Sequence, residues 1–182
     1  NVDNCEVNPH EAYLLNVRTV ENLVSGIKDK KNSFFIQFSS DHLYDKIGPS
    51  IESEVRLTNV YALTKYAGEL AAKSMPNTVL RTNFIGESLL DDRKSFSDWV
   101  IEKLENDSVI TGFKDIIINP VSMTTLCSMV VLVIEKRIEG VFNLGSRMPM
   151  SKDEIIFEIA DAYGYSKSNI NCGLSTDYNF KA

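Results

Sequence analysis

Two apolar runs flank a helical segment in the first half of the chain. The first run is FFIQF at residues 34–38, which stops at Ser39-Ser40-Asp41, and the second is TVLRTNFI at residues 78–85, which stops at Gly86. Short apolar runs bounded by turn residues are typical of buried strands. A helix is predicted between them, beginning near Asn59. Strand, helix and strand in this order form the right-handed crossover unit of a parallel sheet, so the pattern predicts an α/β fold.

The same kind of pattern predicts elements elsewhere. We predict a loop over residues 2–11. Pro9 is favoured in the first turn of a helix, so we predict a helix from about His10. We also predict a helix over residues 95–104, a mostly buried helix over 122–137, and a helix over 151–163 capped by Ser151 with Glu154. Short strands are predicted at 109–111, 116–118 and 141–144, and a loop after residue 163.

Composition and charge exclude several classes of protein. The chain has 182 residues, the size of one ordinary domain, and a net charge of -6. Its lysines and arginines are scattered, which argues against a nucleic-acid partner. The longest uncharged apolar stretch is the nine residues from Leu126 to Ile134, too short to cross a membrane, and no signal-peptide pattern opens the chain. We therefore expect a cytoplasmic protein.

Cysteine and histidine suggest neither a disulfide framework nor a metal site. Cys5, Cys127 and Cys172 are odd in number, widely spaced and without a Cys-x-x-Cys motif. The two histidines, His10 and His42, have no neighbouring ligands at metal-binding spacing. We predict buried or idle thiols and no metal.

The candidate chemistry lies on the helix that begins near Asn59. Tyr61 and Lys65 are four residues apart, so a phenol and an ammonium share one helical face. Ser40 follows the first strand and Asn83 lies near the end of the second, at the edge where parallel sheets bind ligands. A second Tyr-x-x-x-Lys, from Tyr163 to Lys167, straddles Gly164 and is interpreted as accidental.

Together these residues carry a resemblance that covers nearly the whole chain. It resembles the extended short-chain dehydrogenase/reductases and, among them, the dTDP-4-dehydrorhamnose reductases. The motifs are Val2-Asp3-x-x-Glu6-x-x-Pro9-x-x-Ala12-x-x-x-Asn16-Val17, Ser39-Ser40-Asp41-x-x-Tyr44-Asp45, Asn59-x-Tyr61-x-x-x-Lys65-x-x-Gly68-Glu69, and Leu80-Arg81-Thr82. The resemblance implies part of a Rossmann-like, doubly wound parallel sheet with a small C-terminal substrate-binding part. Residues 1–86 would hold the catalytic portion of the dinucleotide-binding domain, and residues 87–182 would interleave substrate-binding segments with the last Rossmann elements.

The resemblance also implies roles for single residues. Tyr61 would be the acid that protonates a ketone, with a pKa lowered by Lys65. Ser40 would donate a hydrogen bond to the substrate oxygen, and Asn16 would shape a proton-relay water site. The implied cofactor is NADP or NAD, and the implied partners are a nucleotide-sugar substrate and a second copy in a homodimer. The remaining assignments are Ser39, Tyr61, Lys65 and Asn83 for the cofactor, and Asp41, Phe84 and Arg147 for the substrate.

Three departures from the family pattern are visible. The glycine-rich turn that holds the cofactor pyrophosphate is absent from this sequence, which suggests a fragment that would not bind dinucleotide tightly by itself. Ser40 stands where Thr is usual and keeps the hydroxyl. Lys46 stands where Gly is usual.

Several functions remain open alongside an NAD(P)H-dependent 4-keto sugar reductase. A dehydratase is disfavoured because those relatives carry Asp-Glu after the catalytic hydroxyl, and here Ser40 is followed by Asp41-His42. A nucleotide-sugar 4-epimerase would use the same Tyr and Ser. A non-catalytic alternative is a dinucleotide-binding regulatory subunit resembling that of methionine adenosyltransferase, and another is a defunct remnant.

Overall fold

A parallel three-stranded sheet forms the centre of the first half of the molecule. The computed structural model describes residues 2–46, 48–90 and 94–178. The sheet has the order β1 (Phe35–Ser40), β2 (Asn77–Thr82), β7 (Gly140–Leu144). Both pairings are parallel, and the last residues of β1 and β2, Ser40 and Thr82, are partners. The predicted α/β, Rossmann-like fold with a parallel sheet is confirmed.

The helix predicted near Asn59 is confirmed as α4 (Val60–Ala72). The Asn59 side chain caps it by accepting a hydrogen bond from the Ala62 N–H at 2.8 Å, which satisfies one of the unpaired amides of the first turn. Helix α4 crosses from β1 to β2 and buries small residues against its neighbours. Val20, Val24, Ala72 and Met75 form the core beside it.

The start of the chain is helical, contrary to the predicted loop. It forms α1 (Val2–Val7), α2 (Pro9–Tyr13), a π-helical turn (Leu14–Arg18) and α3 (Thr19–Ile27). The helical path continues through Asn8, whose side chain donates to Asn4 Oδ1 at 3.0 Å and whose backbone N–H donates to the Asn4 carbonyl at 2.9 Å. Pro9 lacks an N–H, but the first position of a helix does not need one.

The remaining elements are short strands and three helices. Their pairings are β3 with β6 and β4 with β9, both parallel, and β5 with β8, antiparallel. A core of Val100, Leu104, Ile110, Ile156 and Ala160 packs between helices and strands. The elements are β3 (Phe84–Ile85), α5 (Phe96–Glu105), β4 (Ile110–Phe113), β5 (Ile117–Ile118), β6 (Val121–Ser122), α6 (Met123–Lys136), β8 (Met150–Ser151), α7 (Lys152–Tyr163) and β9 (Ile170–Gly173).

Three predictions for this part of the chain need correction. The strand predicted over 78–85 is two strands, because the chain leaves the central sheet after Thr82 and β3 pairs with β6 instead. Helix α6 was predicted to be mostly buried, but among its residues only Leu126 and Val133 are buried. The loop predicted after residue 163 contains β9, which pairs with β4.

The chain divides into two compact units that are not continuous in sequence. The first unit runs to Thr82 and also contains Ser128–Leu144. The second contains Asn83–Cys127 and the residues after Leu144 up to the end of the described part. The chain therefore leaves the first unit after β2, returns to it within α6, and leaves again after β7. Within the described ranges, a helix with the length and apolar character of a membrane span is not found.

Candidate active site

The Ser40 side chain, at the carboxyl end of β1, acts on the phenol of Tyr61. Ser40 is the last residue of that strand and is 4% exposed. Its side chain accepts a hydrogen bond from the His42 N–H at 3.2 Å and donates one to Asp41 Oδ1 at 3.3 Å. A short 3-10 turn, Asp41–Leu43, is capped in this way. The Ser40 side chain also lowers the pKa of Tyr61, so the two predicted catalytic hydroxyls are neighbours.

The surroundings of Tyr61 favour the protonated phenol. Burial raises the pKa of Tyr61, the hydrogen bond from Ser40 lowers it, and the nearby carboxylate of Asp41 raises it. The net shift is upward. The expectation that Lys65 lowers this pKa is therefore wrong for the chain by itself, because burial and Asp41 outweigh the groups that favour the phenolate.

The ammonium of Lys65 is engaged with the central sheet. It lies one turn beyond Tyr61 on α4, as the spacing predicts, and Nζ donates to the Phe38 carbonyl at 2.6 Å. Burial lowers the pKa of Lys65, and the negative charge of Glu69 opposes that effect. Lys65 is half-buried, so its charge depends strongly on the groups around it.

Asn16 lies in the π-helical turn, and its side chain reaches the catalytic helix. Its Nδ2 donates to Thr64 Oγ1 at 3.0 Å. That hydroxyl in turn donates to the carbonyls of Val60 and Tyr61, at 2.9 and 3.1 Å. Single π turns within helices often mark functional sites. This turn links the predicted Asn16 to the backbone of the residue that carries the phenol.

The first turn of α4 is also held by a hydrogen bond to α1 that the sequence did not reveal. Glu6 on α1 accepts a hydrogen bond from the Val60 N–H at 2.5 Å, one residue before Tyr61. A carboxylate also suits the positive end of a helix dipole. Glu6 was part of the motif carrying the family resemblance, but nothing in the sequence pairs it with a residue 54 positions away.

His42 is a further neighbour of the phenol that sequence reasoning missed. Its ring meets the Tyr61 ring edge to face, with centroids 5.5 Å apart and an interplanar angle of 86°. The imidazole is exposed, whereas its backbone N–H holds the Ser40 hydroxyl. His42 stands directly after Asp41, where the dehydratase pattern would have Glu. In the sequence, the presence of His instead of Glu was the one signal that the chemistry at this position differs from that of the dehydratases.

Ser39 has a buried hydroxyl that finds no hydrogen-bond partner among the residues the structure describes. The residue is 6% exposed and precedes Ser40 in β1. Burying an unpaired hydroxyl is unfavourable, so such an atom is a candidate contact for a bound group. This observation fits the predicted place of Ser39 beside a cofactor.

The predicted site residues fall into both units. The first unit holds Asn16, Ser39, Ser40, Asp41, Tyr61 and Lys65. Asn83, Phe84 and Arg147 belong to the second unit. There, the Asn83 carbonyl accepts a hydrogen bond from the Val121 N–H at 3.0 Å, and the Phe84 side chain is 54% exposed. Arg147 is exposed as well.

A metal centre is not evident in the described part of the chain. No group of three or more His, Cys, Asp or Glu side chains within residues 2–46, 48–90 and 94–178 is arranged to hold an ion.

Solved structures of dTDP-4-dehydrorhamnose reductases share this fold. The Bacillus anthracis enzyme, in complex with NADP, has a TM-score of 0.90 at 19% identity, and the Yersinia enterocolitica enzyme a TM-score of 0.87 at 21% identity. Each match covers 100% of this chain and 65% of the solved chain. A hypothetical dTDP-4-dehydrorhamnose reductase from Sulfolobus tokodaii has a TM-score of 0.83 at 23% identity, covering 95% of this chain and 61% of that one.

The chain thus spans less than two thirds of the length of these three proteins. No curated protein matches it in sequence. A family comparison gives a match to the RmlD substrate binding domain over residues 1–182. Because that match covers the whole sequence, the chain belongs to the RmlD substrate-binding domain family.

Proposed function

We propose that the intact protein is an NAD(P)H-dependent reductase of the 4-keto group of a nucleotide-linked deoxysugar, as in dTDP-L-rhamnose synthesis. The observation that carries the proposal is the placement of Ser40 beside Tyr61 at the carboxyl end of β1, with Lys65 one turn further along the same helix. The names of the solved structures that share the fold support the same class of reaction. All three side chains project from rigid elements, which suits catalytic positioning.

Tyr61 is the acid in this proposal. A ketone oxygen gains negative charge as its carbon is reduced, so a positioned proton donor lowers the barrier. Because the pKa of Tyr61 is raised, its phenol carries the proton at neutral pH. The O–H bond of Tyr61 breaks as the proton moves to the ketone oxygen. Ser40 donates a second hydrogen bond to that oxygen and keeps it beside the phenol.

A nicotinamide dinucleotide fits the residues beside Tyr61. The buried, unpartnered hydroxyl of Ser39 and the half-buried ammonium of Lys65 are polar groups able to hold it, and Asn83 is proposed as a further contact. The Bacillus anthracis relative was solved with NADP. When bound in its reduced form, such a dinucleotide would supply the hydride for the ketone carbon.

Lys65 and Asn16 support Tyr61 in this scheme. Lys65 keeps a positive charge close to the carboxyl end of β1, where negative charge develops during proton transfer. Asn16 fixes Thr64, which in turn holds the carbonyl of Tyr61. The proton that Tyr61 loses is restored through water shaped by these groups.

We propose three substrate contacts from the charge or the exposure of their side chains. Asp41 lies next to Ser40, where it can accept hydrogen bonds from sugar hydroxyls. Phe84 offers an exposed ring for the sugar or base. The Arg147 guanidinium suits a diphosphate, because its planar donors match phosphate oxygens.

The proposal is tested by mixing the intact protein with NADPH and dTDP-4-dehydro-6-deoxy-L-mannose and following NADPH absorbance. We expect substrate-dependent oxidation that falls at least about 100-fold in Tyr61→Phe, because general acid catalysis contributes roughly that factor or more. Tyr163→Phe is the matched control, since Tyr163 is the exposed tyrosine of the accidental second motif.

Equal activity of folded Tyr61→Phe and the parent protein would rule out the proposed role. Loss of oxidation in Tyr163→Phe but not in Tyr61→Phe would do the same. NADPH binding without oxidation in the parent protein would favour the non-catalytic binding module instead.

A further inference from the structure

The first turn of α4, which carries Tyr61, is bound to the start of the chain. The Glu6 carboxylate on α1 accepts a hydrogen bond from the Val60 N–H at 2.5 Å. Val60 is the first residue of α4, and the N–H groups of a first helical turn have no carbonyl partner within the helix. A carboxylate suits this place, because the N-terminus of a helix carries a partial positive charge.

The same turn is also held through its carbonyl groups. Thr64 Oγ1 donates to the carbonyls of Val60 and Tyr61, at 2.9 and 3.1 Å, and accepts a hydrogen bond from Asn16 Nδ2 at 3.0 Å. Thr64 is 6% exposed, so these bonds lie away from water. The helical segment at the start of the chain therefore reaches the first turn of α4 at two points, one through Glu6 and one through Asn16.

Helix α1 depends on such contacts for its own position. It has six residues, Val2–Val7, and only Cys5 among them is buried. A helix of this length is marginal by itself, so its neighbours must hold it in place. The thiol of Cys5 acts electrostatically on the phenol of Tyr61. Helix α1 therefore lies beside the part of α4 that carries the phenol.

We propose that Glu6 is a positioning residue, whose hydrogen bond to Val60 fixes the first turn of α4 and so keeps the Tyr61 phenol beside Ser40. The inference rests on the proposed function, in which that phenol protonates the substrate ketone. Glu6 binds a backbone amide and takes no part in the proton transfer itself. This role accounts for the glutamate of the motif Val2-Asp3-x-x-Glu6, to which the proposed reaction assigns nothing.

Loss of the Glu6 acceptor has a consequence that can be measured on Tyr61. The Asn59 side chain caps the Ala62 N–H, whereas the Val60 N–H is bound by Glu6. Without Glu6 the Val60 N–H must turn to water, which loosens the turn and admits water around the phenol. Burial is the largest influence on the pKa of Tyr61 and raises it. A loosened first turn should therefore lower that pKa.

The test follows the titration of Tyr61 in the intact protein without cofactor or substrate. Tyrosine Cζ is labelled with carbon-13, the Tyr61 signal is assigned by its loss in Tyr61→Phe, and its chemical shift is measured by NMR over a range of pH. In Glu6→Ala the pKa of Tyr61 should fall. In Glu6→Gln it should stay at the parent value, because the amide oxygen can still accept the hydrogen bond from Val60.

The comparison of these two variants separates the hydrogen bond from the charge, since both substitutions remove the carboxylate. Asn8→Ala is the matched control, because Asn8 is exposed and its side chain binds Asn4 within the same segment. It should leave the Tyr61 titration unchanged. If Glu6→Ala does not fold, adding Val60→Pro removes the unpaired N–H, and proline is favoured at the first position of a helix. This double variant should also lower the pKa of Tyr61.

Steady-state kinetics of NADPH oxidation give a second readout. Glu6→Ala should lower kcat about tenfold or more and leave KM for the sugar within about twofold, because displacing a reacting group by about 1 Å can cost about 100-fold in rate. Glu6→Gln should restore most of the parent kcat. A residue that only stabilises the fold would change urea unfolding without changing kcat or the Tyr61 titration of the folded protein.

An unchanged Tyr61 titration or an unchanged kcat in a folded variant that lacks the Glu6 acceptor would overturn the proposal. A shift in Glu6→Gln as large as that in Glu6→Ala would also overturn it, because the lost charge would then explain the effect. The titration uses no substrate, so either titration result leaves the reductase proposal standing. Absence of NADPH oxidation in the parent protein would contradict the reductase proposal and leave the titration result standing.

Discussion

The phenol of Tyr61 and the ammonium of Lys65 have different partners in this chain, although they share one helical face. The pKa of Tyr61 is raised, first by burial and also by the negative charge of Asp41, although Ser40 lowers it. Lys65 binds the Phe38 carbonyl, and its pKa is lowered by burial. The first shift favours a proton donor, which is the form that reduction of a ketone requires. The raised pKa of Tyr61 therefore agrees with the proton-donor role that we propose for it.

The charge of Asp41 provides a direct test of this electrostatic account. In Asp41→Asn the pKa of Tyr61 should fall, because a nearby negative charge disfavours the phenolate and the amide removes it. The measurement is an NMR titration of tyrosine Cζ in the labelled chain, with the Tyr61 signal assigned from Tyr61→Phe. Asp45 is exposed and lies three residues beyond His42 in the same segment. Asp45→Asn is therefore the control and should leave the pKa of Tyr61 unchanged. A pKa of Tyr61 that rises or stays the same in Asp41→Asn would contradict this electrostatic explanation.

The sequence places the residues proposed for the centre of the site, but it does not show their neighbours. Tyr61 and Lys65 follow from helical spacing, and Ser40 from the end of an apolar strand. The edge contact of His42 and the bond from Glu6 to Val60 could not be predicted, because each joins residues whose proximity depends on how separate elements pack. The upward shift in the pKa of Tyr61 was missed for the same reason, since burial is a property of the folded chain.

Helix α4 is fitted closely against the π-helical turn through Gly68. A Cβ built on Gly68 would lie 2.4 Å from the backbone oxygen of Asn16. Only glycine allows this approach, and the neighbouring atom belongs to the backbone, so it cannot rotate away. Gly68 therefore keeps the turn that carries Asn16 in contact with the helix that carries Tyr61.

Gly68→Ala should destabilise the chain by about 1–3 kcal/mol, the usual effect of overpacking a tight interior contact. Gly26→Ala is the matched control, because Gly26 is also helical but a Cβ there meets nothing within 4 Å. That variant should be neutral or more stable by up to about 1 kcal/mol, since alanine is the better helix former. Urea unfolding followed by circular dichroism measures both. Equal effects of the two substitutions would show that the contact with Asn16 does not constrain the helix.

Helices with clear end signals were predicted well, and elements without them were not. Asn59 caps α4 and Ser151 with Glu154 caps α7 by reciprocal hydrogen bonds, as their sequences indicate. The first helix, Val2–Val7, was missed because its polar composition resembles a loop. The strand predicted to run to Ile85 was too long because an apolar run does not show where a chain changes sheets.

At the level of the whole chain, the fold class was predictable and its division into units was not. The pattern of strand, helix and strand gave the parallel pairing of β1 with β2. The return of the chain to the first unit, where β7 pairs with β2, depends on contacts about 60 residues apart. A short strand such as Gly140–Leu144 carries no local signal of which sheet it will join, since tertiary packing decides that.

The most direct test of the reductase proposal follows the hydride itself. The intact protein is mixed with NADPH carrying deuterium at the transferred position and with dTDP-4-dehydro-6-deoxy-L-mannose, and the sugar product is examined by NMR. We predict deuterium at C4 of the sugar product, with one atom for each NADPH oxidised. We predict no deuterium in the sugar when Tyr61→Phe replaces the parent protein. A sugar that is epimerised or unchanged, without deuterium at C4, would contradict it.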